Sequence, residues 1–459
     1  MLPLSAPGAD SARVPPLAGF WEVTPARRDE LLREGVARAH AWHYERNRAY
    51  RRTVAARGVG PQVSAADLPR LLRPTAQAFK SYIEVLGTPF PQERPREFLE
   101  WLAEQLSVEL PRERIARFRT RYRSLEALLR AIEAQFADLG LEVLTSSGTS
   151  GRSTIIVRDA AATDATVESF YLAFRRYFGM RAEHRAIFLM PARTRIAMAR
   201  MARFSVERVG LPADHVHFAI PLPAFPDQVR IRNGRTFRDG WRGTLERRAW
   251  HPAMRAAQER IVDRQATRRA LALLEGAARE GEKVLLFGSL VQLHRVALAL
   301  HAAGRTLTLA PGSLLGTGGG MKEQYPASPA EIREDVQRAM RLADGKPVPL
   351  RDVYGMAEAN WAAMQCTAGN YHIPPWIGAL TLDDDRPQVG PQTRGMLAFV
   401  DPYGGGRLFP AFFKTADSVT LVTGAGEWRC ACGEAGAYLT HDSIQRVDLI
   451  GEAGCAAQV

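Results

Sequence analysis

The sequence predicts an α/β protein built on a parallel sheet, and three observations carry that expectation. Long helical stretches lead the chain, short apolar runs then alternate with helices, and the character changes again near residue 395. Over 24–56, Leu31, Leu32, Val36, Ala39, Trp42 and Tyr50 recur at helical spacing, which predicts one long amphipathic helix. Further helix is expected over about 95–108 and 123–138. The apolar runs are LEVL at 141–144, TIIV at 154–157, AIFLM at 186–190, KVLLF at 283–287, TLTLA at 306–310 and VPLRDVY at 348–354. Strands alternating with helices predict parallel pairing. Ser328 as N-cap, Pro329 in the first turn and Glu331 three residues after the cap mark one helix start. From about 395 the sequence GMLAFVDPYGGGRLFPAFF reads as short strands with Gly/Pro turns, a smaller β-rich part. The expected organisation is a loose lead over 1–20, a helical portion over 21–140 and an α/β core over 141–394. A β-rich subdomain over 395–446 and a tail over 447–459 carrying Cys455 complete it.

Composition narrows the class. With 459 residues, 46% apolar and 24% charged, the chain can bury a large core. No run of about 18 apolar residues suggests a membrane span. The N-terminus has neither the basic start nor the apolar centre of a secretory signal. Four cysteines are too few for a disulfide framework, so a reducing cytoplasm is the expected setting. The formal net charge is +12, and arginine supplies nearly all of it, since the chain has only five lysines. An arginine-rich stretch over 229–269 reads as a solvated helical face, and would also suit an anionic substrate or an acidic partner. No nucleic-acid motif accompanies the charge, so no nucleic-acid partner is expected.

Four segments carry chemistry. Ser146, Ser147, Gly148, Thr149, Ser150 and Gly151 lie between two predicted strands, where glycines let backbone N–H groups converge on an anion and hydroxyls add donors. The loop has no GKS or GKT ending, which argues against a P-loop nucleotidase. Gly318, Gly319, Gly320 and Lys322 follow, three glycines suggesting close backbone approach and a lysine suited to an anion. Tyr354, Gly355, Met356, Ala357 and Glu358 close a predicted strand, where α/β sheets place ligands. Tyr354 has the ring to stack on a base, and Glu358 the carboxylate to hold Mg²⁺. Lys414 and Asp417 sit in FKTAD, where the aspartate can accept ribose hydroxyls.

In this order and spacing the four segments resemble the adenylate-forming superfamily, with its SSGTTGxPK-type loop, YGxTE motif and TGD motif. The likeness is greatest to the branch holding phenylacetate–CoA ligases and the acyl-protein synthetase of bacterial luminescence. HYERNRAYRRTVAARG, Phe79-Lys80, TGGGMK and PAFFKTAD share that branch's character. The resemblance runs from about residue 40 to the C-terminus, with a helical insertion near 90–140. It implies ATP and Mg²⁺ as cofactors and a carboxylic acid as substrate, joined as an acyl-adenylate. By resemblance, residues 147–151 cradle the β/γ-phosphates, Tyr354 packs on adenine, Glu358 helps bind Mg²⁺ and Asp417 binds the ribose. Three positions depart from the pattern: Ala357 for Ser/Thr, Ala416 for Gly, and Thr154 where the loop often has Lys.

The family's mobile lid, with its catalytic lysine, is expected to be absent, because only eight residues follow QRVDLIG at 445–451. The luminescence synthetases have an acyl-accepting cysteine near the C-terminus, and Cys455 stands at the matching place. A thioester there would hand the acyl group to a partner protein, a reductase or a carrier. A CoA ligase using another chain's lid, and a non-catalytic partner protein, stay open as alternatives. Cys366, His372, Cys430 and Cys432 form a Cys₃His set suited to structural Zn²⁺, or else three reduced thiols beside a hydrogen-bonded histidine.

Overall fold

The computed structural model describes residues 16–146, 154–234, 236–320, 325–404 and 407–447. Among these residues one sheet of 14 strands runs through the molecule. Its parallel half has the strand order Val216–Ile220, His184–Pro191, Lys283–Gly288, Leu314–Gly318 and Leu350–Gly355. The sheet then turns antiparallel through Ala362–Gln365, Tyr371–His372, Tyr438–Leu439, Ala411–Val422, Gln392–Asp401 and Gly378–Asp383. The expected α/β class is the one observed.

Helices cover both faces of the parallel half, as strands buried on two sides require. On one face, Ala266, Ala270, Leu274 and Ala277 of the helix Arg264–Glu280 pack with Leu290–Ala302 and Pro329–Ala339 against Ile187, Leu286 and Leu315. On the other, Phe170 and Phe174 of Ala160–Tyr177 meet Phe188 and Phe287. The leading helices cover the antiparallel half instead: Phe20, Leu31, Phe79 and Phe98 share a core with Phe399, Phe413 and Val419. Trp361 and Trp376 are both 1% exposed there, each worth about 3 kcal/mol of apolar burial.

The structure departs from the sequence pattern at four places, each with a physical cause. The helix expected over 24–56 is two helices, Pro25–Arg46 and Arg48–Ala55, broken at Asn47. Asn47 takes an extended ψ of 106°, and its side-chain oxygen accepts from the Tyr50 amide at 2.8 Å, so it caps the second helix. LEVL and TIIV form a separate antiparallel hairpin, Glu142–Thr145 with Ile155–Arg158, outside the large sheet. TLTLA pairs as Leu307–Leu309 with Met340–Leu342, also outside it, and the fourth parallel strand is LLGTG at 314–318. Glycines in a strand weaken the periodic signal, yet Gly316 is required: a Cβ there would lie 2.5 Å from the Phe287 ring. Finally, Val216–Ile220 is an edge strand of mixed burial that the apolar-run pattern misses. The Ser328 cap forms as expected, with Glu331 donating its amide to the serine hydroxyl and Ser328 donating its own amide back.

Candidate functional site

The carboxyl ends of the parallel strands gather the chemistry-bearing segments at one edge of the sheet. The 142–158 hairpin docks there, with the Thr145 amide donating to Arg195 O at 2.8 Å in the segment that follows the strand ending at Pro191. Arg195 holds the hairpin's base: its guanidinium pairs with Glu126 at 2.8 Å and Glu133 at 2.5 Å, and donates to Val143 O at 3.0 Å. At the hairpin's open end, the Ser146 amide donates to Thr154 O at 3.0 Å, and the Thr154 amide donates to the Ser146 hydroxyl at 3.0 Å. This double bond fixes where the Ser/Gly loop leaves and re-enters. Ser147, Gly148, Thr149, Ser150 and Gly151 themselves lie outside the described residues, as do Lys322 and Cys455.

Two contacts join segments far apart in sequence. The Thr154 hydroxyl donates to Glu358 Oε1 at 2.7 Å across 204 positions. The Tyr354 hydroxyl donates to Asp417 Oδ2 at 2.8 Å across 63. So Thr154 meets the YGMAE turn at Glu358, and the same turn meets the FKTAD strand through Tyr354 and Asp417. Tyr354 is 1% exposed, its ring in the main core. Burial first, then the Asp417 carboxylate, push its phenol well above the ordinary tyrosine range. Asp417 is buried, and its amide donates to the Thr415 hydroxyl at 3.1 Å. Gly318 ends its strand beside Val353, and Gly319 and Gly320 continue with φ of 84° and 67°, left-handed values that a side chain resists. Among the described residues a Cβ on Gly319 would meet nothing within 4 Å. Gly355 packs tightly, its notional Cβ 3.3 Å from Ala362 and Met198, and Met356 is half-buried against the main core. Lys414 pairs with Asp385 at 2.6 Å.

One residue that pattern reading missed organises the turn. Arg158, 1% exposed, donates through Nε to Asn360 Oδ1 at 2.8 Å and through Nη2 to Ala357 O at 3.2 Å and Ala359 O at 2.9 Å. Burial pulls its guanidinium down to about 10, with Glu142, Glu358 and Asp401 pulling the other way. Among the described residues its Nη1 has no hydrogen-bond partner. Arginine's planar fork suits this task, because it bridges the two carbonyls that flank Glu358. An arginine closing the apolar run TIIVR, at a position that should be buried, was the available signal.

A second cluster lies at the other end of the same strand pair. Cys366 follows Ala362–Gln365, His372 lies on Tyr371–His372, and Cys430 and Cys432 belong to the segment before Tyr438–Leu439. Their four donor atoms lie within 4.8 Å of one another. Cys366 Sγ and Cys430 Sγ are 3.8 Å apart, and Cys432 Sγ and His372 Nε2 are 3.3 Å apart. A tetrahedral ion with Zn–S bonds of about 2.3 Å needs sulfurs about 3.8 Å apart. Asn370 Nδ2 donates to Cys430 Sγ at 3.3 Å and the Glu434 amide to Cys432 Sγ at 3.5 Å, the N–H···S bonds that favour thiolate. Burial pushes the His372 imidazole down to about 4, so it is neutral and its lone pair is available. Its ring stacks on Tyr177 at 5.2 Å. The donor set and spacing fit Zn²⁺.

No protein-family model and no curated protein sequence matches the chain. Solved structures do. A 2-hydroxyisobutyryl-CoA ligase, in the postadenylation state with 2-HIB-AMP, aligns over 98% of this chain and 75% of its own, with 14% identity and a TM-score of 0.50. This chain shares that ligase's fold. The same enzyme in an open conformation with 2-HIB-AMP and CoA covers 97% of this chain and 83% of its own at 15% identity and TM-score 0.49. A long-chain-fatty-acid-CoA ligase from Archaeoglobus fulgidus covers 66% and 51% at 13% identity and TM-score 0.39. Among the described residues no helix is long and apolar enough to cross a membrane.

Proposed function

We propose that the protein activates a carboxylic acid with ATP. The observation that carries this reading is the convergence of Thr154 with Glu358 and of Tyr354 with Asp417, at the carboxyl edge of a sheet whose fold is shared with a ligase solved in complex with an acyl-AMP. In the proposed reaction a carboxylate oxygen bonds to the α-phosphorus of ATP and the bond to the β-phosphate oxygen breaks, releasing pyrophosphate. Such chemistry needs positioning and charge neutralisation more than covalent help from the protein. The Ser/Gly loop and Gly318–Gly320 would present N–H groups to phosphate oxygens, Glu358 would hold Mg²⁺, and Asp417 would accept ribose hydroxyls. Tyr354 would lie along the adenine once a ligand opens that side of the core.

The second half of the proposal is transfer to Cys455. Its thiolate attacks the acyl carbonyl, the bond to the AMP oxygen breaks, and AMP leaves. A partner protein then takes the acyl group. Cys366, His372, Cys430 and Cys432 would hold a structural Zn²⁺, which ties the 362–372 strands to the segment before 438 and supplies no step of the reaction.

The test is incubation with ATP, Mg²⁺ and a panel of fatty and aryl acids, read by pyrophosphate exchange and intact mass. The expected result is exchange with at least one acid and a hydroxylamine-labile acyl adduct that Cys455→Ser abolishes. Exchange without an adduct removes the thioester and keeps adenylation. No exchange and no ATP binding would sink the whole reading and leave a non-catalytic protein on this fold.

A further inference from the structure

The arginine-rich stretch is not a uniformly solvated face. Residues 229–269 hold twelve arginines against four acidic residues, so this segment carries +8 of the chain's +12. Its described residues fold as Pro226–Asn233, Gly240–Leu245, His251–Ala257 and the start of Arg264–Glu280, with π-helical turns at Glu246–Trp250 and Gln258–Asp263. π turns are rare, and they shift the phase of the face that follows. Here the shift keeps Trp250 on the side of Trp241 and Leu245, and all three line one open cleft of about 450 Å³. Trp241 is 72% exposed, Trp250 53% and Leu245 45%. Arg121, Arg123 and Arg242 line the same cleft.

The floor of this cleft is cross-linked by ion pairs. Arg238 bonds to Glu93 at 2.9 Å and to Glu246, while Arg230 pairs with Glu246 at 2.9 Å, and both guanidinium groups lie 5.0 Å from the Phe90 ring centre. Burial raises the Glu246 carboxyl, but the bonds from Arg230 and Arg238 hold it down at about 2, so it stays ionised and committed to them. The rim is different. Arg121 shares Glu93 at 3.1 Å, whereas Arg123 and Arg242 have no carboxylate within ion-pair distance among the described residues. Arg242 lies 5.5 Å from the centre of the Trp241 ring. Exposed tryptophans beside uncompensated arginines, on a preformed floor, have the composition of an interaction hot spot.

The geometry points to a docking site for an acidic protein segment that seats apolar side chains between Trp241, Leu245 and Trp250 and sets its carboxylates against Arg123 and Arg242. A single cleft with an aliphatic wall suits such a segment better than a nucleic-acid strand, which needs a groove that follows its phosphates. Nothing in this inference depends on the adenylating activity.

The probe is a fluorescein-labelled peptide of repeating Glu-Glu-Leu-Phe, read by anisotropy without ATP, against polyglutamate and oligothymidylate of similar length. The expected result is peptide binding that weakens with salt and exceeds both controls. It should fall on the order of tenfold in Trp241→Ala/Trp250→Ala and again in Arg123→Glu/Arg242→Glu. All four side chains are exposed, so unchanged melting temperatures would show intact folds. No peptide binding by the native protein, equal binding by both double variants, or tighter binding of oligothymidylate would each overturn the proposal.

Discussion

At one end of the strand pair Leu350–Gly355 and Ala362–Gln365, the carbonyls and carboxylate around Glu358 are met by Arg158 and Thr154, about 200 residues away in sequence. At the other end three thiols and an imidazole face chiefly one another. Both ends are buried, and both close a strand that supports Tyr354. The first end is held by hydrogen bonds drawn from the chain itself. The second gathers four donor atoms within 4.8 Å of one another, a set that fits a bound ion. With an ion at the second end, one hairpin would be pinned by two unrelated chemistries that fail under different conditions.

The largest expected effect separates the two ends. Cys430→Ser/Cys432→Ser should remove a bound zinc, from about one per chain to none by metal analysis. The melting temperature should fall by about 5–10 °C, as losing a structural metal costs several kcal/mol. A strong chelator should lower the native protein in the same way and leave the double variant unmoved. Zinc well below one per chain in the native protein would break the comparison, because the cluster would then be a set of reduced thiols.

Next comes the other end. Arg158→Met strands the carbonyls of Ala357 and Ala359 and leaves Asn360 Oδ1 only its bond from the Thr166 hydroxyl at 3.3 Å, so it should cost about 3 kcal/mol in urea unfolding. The missing partner of Nη1 makes this less than a fully bonded arginine would give. Zinc content should stay unchanged, so the two ends fail separately. A loss of zinc in this variant would show that they are coupled.

Glu358→Gln sharpens the functional half. The amide keeps an acceptor for Thr154 and removes the charge, so stability should hold within about 0.5 kcal/mol. On the adenylating proposal, pyrophosphate exchange should drop on the order of a hundredfold, with a raised Mg²⁺ requirement. Unchanged exchange would take Glu358 out of the site.

Much of this was legible in the sequence, and the limits have physical reasons. Residue types and spacing singled out Glu358 and Asp417 as candidates and picked out the Cys₃His set, whose four donors the fold does gather, because each type has few chemical uses. Proximity was only implied by order, and it needed the parallel sheet to bring Thr154 to Glu358. Arg158 passed unmarked just after the run TIIV because two of its three partners are backbone carbonyls, which leave no mark in a sequence. The break at Asn47 was hidden by apolar spacing that continues across it, while the asparagine's double role as cap and as donor to Gln105 O at 2.5 Å depends on tertiary contact. Strand LLGTG was obscured by the glycines its neighbours require.

The smallest effect lies between the two ends, at Asp352. Its carboxylate accepts from the Tyr371 hydroxyl at 2.8 Å, one residue from His372 and two from Tyr354. Burial raises its carboxyl to about 6, and the Tyr371 bond opposes that rise. A carboxyl raised above its unfolded value keeps a proton that the unfolded chain has released, so stability is lost as pH climbs from about 4 to 6. Tyr371→Phe removes the opposing bond and should steepen that loss. At pH 7, where the bond is to an ionised carboxylate, the variant should be less stable by about 2 kcal/mol. At pH 4.5 the neutral acid bonds more weakly, and the difference should shrink to about 1 kcal/mol. Equal differences at the two pH values would mean that Asp352 is ionised throughout, and that the middle of the hairpin is wetter than its burial implies.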